Sequence, residues 1–146
     1  MKIYLDVCCL SRLTDDQSQA RIREEAGAVE QILAGIGRGT VELISSEALE
    51  DEVRHNPSIE RRVKLTILSL ATTTIEIDGA AFLRAQALVG LGYDPFDALH
   101  IAAAESMGAD VLLTTDGRLL KRTARNLGNF RIPVRNPLTW IKEQGL

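Results

Sequence analysis

The chain has 146 residues, enough for one compact domain spanning residues 1–146 and too few for two ordinary ones. A domain of this size buries about two-thirds of its unfolded surface, so it needs no disulfide or metal merely to fold. A composition of 45% hydrophobic and 25% charged residues excludes disorder, and no apolar run approaches the roughly 18 residues that cross a bilayer.

The formal charge of −3 does not mark the chain as a polyanion binder, but the average hides a segregation. Between Gly117 and Arg135 lie six basic residues, Arg118, Lys121, Arg122, Arg125, Arg131 and Arg135, and no acid. The start, Lys2 followed by Ile3-Tyr4-Leu5-Asp6, carries no secretory apolar segment, so a cytoplasmic protein is expected. The only cysteines, Cys8 and Cys9, are adjacent. Neighbouring Cα atoms sit about 3.8 Å apart, below the roughly 4.4 Å minimum of ordinary disulfides, so both are read as reduced thiols.

In chain order, Lys2 to Val7 predicts a first strand. Ile22, Ala26, Val29, Leu33 and Ile36 form an apolar stripe that predicts a helix over 17–36. A second strand follows at Thr40–Ile44, and Ser45-Ser46 offers an N-cap for the next helix. Asn56-Pro57-Ser58 breaks that helix, with Ser58 capping another through Leu70. Thr72–Ile77 reads as a third strand and Gly79–Leu88 as a helix. Asp94-Pro95 opens a helix to about Met107 that is apolar nearly all round and so belongs inside the domain. Asp110–Thr114 is a fourth strand, Gly117–Asn126 a basic helix, Phe130–Val134 a fifth strand and Pro137–Gln144 a last helix. Strands alternating with helices predict a mostly parallel α/β sheet covered on both faces.

Four carboxylates stand out against this background. Asp6 and Asp116 follow the first and fourth strands, where parallel sheets place their functional crevice. Either could equally be a helix cap, and a capping carboxylate keeps a second oxygen for a ligand. Asp97 shares a helix face with Ile101 and Ala104, so it starts a buried stripe, whereas Asp94 is explained as the cap. On the helix after Ser46, Glu52 falls between Ala48 and Leu49 on the apolar sector. Glu47 and Asp51 face solvent there, and Glu50 can pair with Arg54. A buried carboxylate needs a partner. The two histidines, His55 and His100, read as helix-surface residues as readily as cations for this set. No His/Cys cluster supports zinc. Hard oxygen donors fit Mg²⁺ or Mn²⁺, which would offset the mutual repulsion of gathered acids. Spacing alone does not show that the four meet.

The segments Ile3-Tyr4-Leu5-Asp6, Ser46 through Glu52-Val53, Asp97-Ala98-Leu99-His100-Ile101-Ala102-Ala103-Ala104 and Leu112-Leu113-Thr114-Thr115-Asp116 together resemble PIN-domain ribonucleases, in particular VapC-type toxins of toxin–antitoxin pairs. The resemblance implies a three-layer α/β/α sandwich and a metal-dependent endoribonuclease acting on RNA phosphodiesters. It aligns Asp6, Glu52, Asp97 and Asp116 with the family's acidic quartet, and implies that Asp6, Asp97 and Asp116 hold Mg²⁺ or Mn²⁺. It further implies a cognate antitoxin and a homodimer, for which the exposed helices at 17–36 and 58–70 offer surfaces. Cys8 departs from the small hydroxyl or amide residue often found two positions after the first acid. The basic helix, through Arg118, Lys121, Arg122 and Arg125, could hold RNA phosphates. A catalytically silent module on the same fold, binding RNA or a protein, is the rival reading. A phosphotransferase is disfavoured because Cys8 stands where a second Asp would be needed, and no G-x-G-x-x-G or G-K-[ST] loop occurs.

Overall fold

The computed structural model describes residues 1–56 and 58–144. Its centre is β1 (Lys2–Leu5), in which Ile3, Tyr4 and Leu5 are wholly buried, as a parallel strand covered on both faces requires. β2 (Glu42–Ser46) and β4 (Val111–Leu113) flank it, and β3 (Thr73–Ile75) and β5 (Val134–Arg135) form the edges of the sheet β3-β2-β1-β4-β5. All four pairings are parallel, and Leu5 lies opposite Leu113.

The chain moves outward from β1 to β3, then crosses back to β4 and β5. Right-handed crossovers therefore place α1 (Val7–Ser11), α2 (Ala20–Gly37), α3 (Glu47–Arg54) and α4 (Ser58–Leu68) on one face. They place α5 (Gly79–Gly90), α6 (Pro95–Ser106) and α7 (Gly117–Arg125) on the other. The last helix, α8 (Pro137–Gln144), packs on α2. The result is the expected α/β sandwich, with its change of winding direction between β1 and β4. That is where an open parallel sheet leaves a crevice beyond the strand ends. No helix of the described residues is long and apolar enough to cross a membrane.

Several boundaries differ from the sequence expectation for identifiable reasons. β2 extends through Ser45 and Ser46, both buried despite their hydroxyls. Pro133 has no N–H to donate, so β5 begins after it and a single 3-10 turn occupies Leu127–Asn129. α6 starts with Asp94 Oδ1 accepting from Phe96 N at 2.9 Å and Pro95 in the first turn. Gly92 before it has φ +99°, and a Cβ there would lie 2.6 Å from the Arg122 guanidinium. The break expected at Pro57 and the capping role expected of Ser58 fall outside what the structure describes.

The inward face of α2 overlaps its apolar stripe but is turned partly away from it. Ala26 and Val29 of the stripe are buried together with Glu25, Ala28 and Ile32, while Ile22, Leu33 and Ile36 are half-buried. Glu25 tolerates burial because Arg12 Nε donates to its Oε1 at 2.8 Å and Asn136 Nδ2 to its Oε2 at 2.5 Å. This carboxylate ties α1, α2 and the start of α8 together. Glu25→Ala would leave two donors without their acceptor. It is expected to lower stability by about 3 kcal/mol, read as a shift in the urea unfolding midpoint.

Candidate active site

The backbone brings Asp6 and Asp116 to the carboxyl ends of neighbouring strands, and Asp6 N still donates to Leu113 O at 2.9 Å. Asp6 caps α1, its Oδ1 accepting from Val7 N at 2.8 Å. Its Oδ2 accepts from Thr114 Oγ1 at 2.9 Å and from Cys8 Sγ at 3.3 Å. Asp116 caps α7 through Oδ1 alone, which accepts from Arg118 N at 2.9 Å and Leu119 N at 3.4 Å. Oδ2 therefore lies outside the cap. Thr114 Oγ1 joins the two acids, because it donates to Asp6 while accepting from Asp116 N at 3.1 Å.

α6 and α3 supply the remaining acids. Asp97 lies half-buried in the first turn of α6. Its carboxyl is pushed up to about 6, chiefly by burial and then by the negative charges of Asp6, Asp116 and Asp94; His100 opposes the rise. Glu52 sits on α3 as the partly inward acid expected from the helical wheel. Glu47 and Asp51 are exposed, and Glu50 pairs with Arg54 at 3.8 Å. Glu52, Asp97 and Asp116 line one open cavity of about 510 Å³, and single donor atoms of Asp6, Glu52 and His100 lie within 4.8 Å of one another. Glu52 is common to both groups, whereas Asp6 is not among the residues lining the cavity.

For the two histidines the sequence left a choice open. His55 is indeed an exposed residue, but His100 is buried at the site, with Nε2 2.6 Å from Glu52 Oε2 and Nδ1 2.8 Å from Tyr4 OH. It occurs one helical turn after Asp97, and that spacing was the available signal. Burial opposes its charge. The Glu52 hydrogen bond and the charges of Asp6, Glu52 and Asp97 outweigh it and raise its pKa. Burial also holds the Tyr4 phenol and the Cys9 thiol above their usual ranges. Cys8 is half-buried, and its sulfur accepts from Thr115 N at 3.2 Å. Thr114 Oγ1 lies 3.2 Å from this sulfur and bonds the same Asp6 oxygen, a role that sequence reasoning missed.

Of the four basic residues proposed for phosphates, Arg118 and Arg122 line the acidic cavity, whereas Lys121 and Arg125 are exposed outside its lining. Arg122 also bonds Gly92 O and lies 5.7 Å from the centroid of the Tyr93 ring. The cavity therefore has an acidic floor and a cationic wall. Donors that are mainly carboxylate oxygens suit a hard dication.

The PIN domain family model matches residues 3–126. Among solved structures, VapBC2 from Rickettsia felis bound to a promoter DNA fragment superposes with a TM-score of 0.58 at 12% identity, covering 92% of this chain and 98% of that one. VapC20 from Mycobacterium tuberculosis, described as a sarcin–ricin loop cleaving toxin, gives 0.57 at 16% identity, covering 84% and 94%. VapBC-1 from nontypeable Haemophilus influenzae gives 0.57 at 15%, covering 94% and 98%. No curated protein matches significantly. At these identities the solved structures speak for the fold, whereas the family model spans most of the sequence. The chain belongs to the PIN domain family.

Proposed function

We propose that this protein is a Mg²⁺- or Mn²⁺-dependent endoribonuclease, the cytoplasmic toxin of a toxin–antitoxin pair. The observation that carries the reading is a cavity lined by Glu52, Asp97 and Asp116, with Arg118 and Arg122 in its wall and Asp6 beside Glu52. Asp6, Asp97 and Asp116 would hold the ion. When bound, it supplies positive charge to the scissile phosphate and to the attacking water. The chain's own residues do the rest. Arg118 and Arg122 receive the RNA backbone and orient it over the acids. Glu52 lines the cavity with Oε2 tied to His100, and it serves as acceptor for the water's proton. Thr114 holds Asp6 Oδ2 in place from the end of β4.

The VapBC neighbours support an antitoxin as protein partner. A second copy of the chain is the other partner. Phe82 and Val89 are exposed on α5 and line an apolar crevice of about 230 Å³, and an apolar patch of this kind calls for cover. Light scattering on the purified protein is expected to give a dimer mass, and Phe82→Glu with Val89→Glu a monomer.

Purified protein is expected to cut RNA with Mg²⁺ or Mn²⁺ and to stop on addition of EDTA. Asp6→Asn and Asp97→Asn should each reduce cutting to the EDTA level on a gel assay. Cleavage by both variants at the wild-type rate would sink the assignment and favour the silent binding module.

The same charge crowding has a pH signature in ion-free protein. Asp97 holds its proton up to about 6 in the fold, against 3.8 ordinarily. Its favourable contribution is therefore fully present below the lower value and is lost as pH rises through the higher one. After allowance for solvent screening, the loss amounts to about 1–2 kcal/mol between about pH 4 and pH 6. Urea midpoints measured in EDTA should show that loss in the wild type, with Asp97→Asn lacking it.

A further inference from the structure

The contacts of His100 determine where its proton lies. A Glu52 carboxylate can only accept, so His100 Nε2, 2.6 Å away, is the donor. In the neutral ring Nδ1 is then the acceptor, and Tyr4 OH at 2.8 Å must donate to it. Tyr4 has no second proton, so its other contact, Ser46 Oγ at 2.7 Å, donates to Tyr4. Ser46 Oγ in turn accepts from Leu49 N at 3.2 Å. Every donor in this series has one acceptor. The opposite tautomer would set the Nε2 lone pair against a carboxylate and leave the Ser46 proton without an acceptor among these contacts. For wholly buried hydroxyls, that arrangement is disfavoured.

The series begins and ends on α3. Ser46 is the N-cap of that helix, and Glu52 projects from its second turn. From there the path crosses β1 at Tyr4 and α6 at His100. Both ring nitrogens are thereby engaged, although the ring lies close enough to Asp6 and Glu52 to resemble a third metal ligand. We infer that His100 is a positioning residue: locked as the Nε2–H tautomer by Ser46 and Tyr4, it fixes Glu52 Oε2 and is itself withheld from metal coordination. The chemical value of that fixing rests on the nuclease reading of Glu52; the tautomer does not.

The test uses the full chain. ¹⁵N-edited NMR of the imidazole, without metal and at a pH where the ring is neutral, should show Nε2 protonated and Nδ1 bare. Zn²⁺, a metal that seeks imidazole, should leave the proton on Nε2. In cleavage assays His100→Ala should slow the reaction about 10- to 100-fold. His100→Gln, which keeps a donor toward Glu52 and an acceptor toward Tyr4, should recover most of the rate, with both variants folded by circular dichroism. An Nδ1–H tautomer, proton loss from Nε2 on adding Zn²⁺, or a His100→Ala variant as fast as the wild type would overturn the inference. A wild type that cuts no RNA yet shows the Nε2–H tautomer would remove the nuclease reading while supporting the positioning of Glu52.

Discussion

Like charges in a poorly hydrated crevice are costly to hold together, and the winding of this sheet forces the issue by delivering Asp6 and Asp116 side by side beyond β1 and β4. α6 then adds Asp97 and α3 adds Glu52. Most of the polar architecture nearby answers that crowding. Backbone amides at the starts of α1 and α7 bond Asp6 Oδ1 and Asp116 Oδ1, Thr114 and Cys8 donate to Asp6 Oδ2, and His100 donates to Glu52. Asp97 receives no comparable help among the described contacts, and burial together with the neighbouring acids raises its carboxyl to about 6. Asp97 thus takes up a proton readily and relieves part of the crowding, a role that a dication would take over.

Two of these acids also hold the fold. Asp6 and Asp116 each start a helix, and Ser46, which begins the series leading to Glu52, starts a third. A cap contributes about 1 kcal/mol, so the site is not simply a strained insertion supported by a separate scaffold. Function and stability share atoms, one carboxylate oxygen engaged by the helix and the other left for chemistry. This division of labour is clearest in Asp116, whose two backbone bonds both fall on Oδ1.

Much of this was legible in the sequence. The alternation of strands and helices, the placing of Asp6 and Asp116 after buried strands, and the helical wheel that turns Glu52 inward all rest on local periodicity, which tertiary structure had no reason to override. What remained hidden depends on partners distant in sequence. Glu25 looks like a solvent-facing residue until Arg12 and Asn136 close around it. His100 looks like a surface histidine until β1 and α3 place Tyr4 and Glu52 on either side of it. Thr114 reads as the end of a strand, and only the pairing of β1 with β4 shows that its hydroxyl bonds Asp6. Such roles are set by contacts between residues as much as 111 positions apart.

The two outer strands of the sheet carry a further meaning. β3 has three residues and β5 only two, and the latter follows a proline. So little free backbone on either margin gives another extended chain almost no ladder to join, and it protects the molecule against association by strand addition. Whatever binds this protein must therefore recognise it through helices and side chains, not by prolonging its sheet.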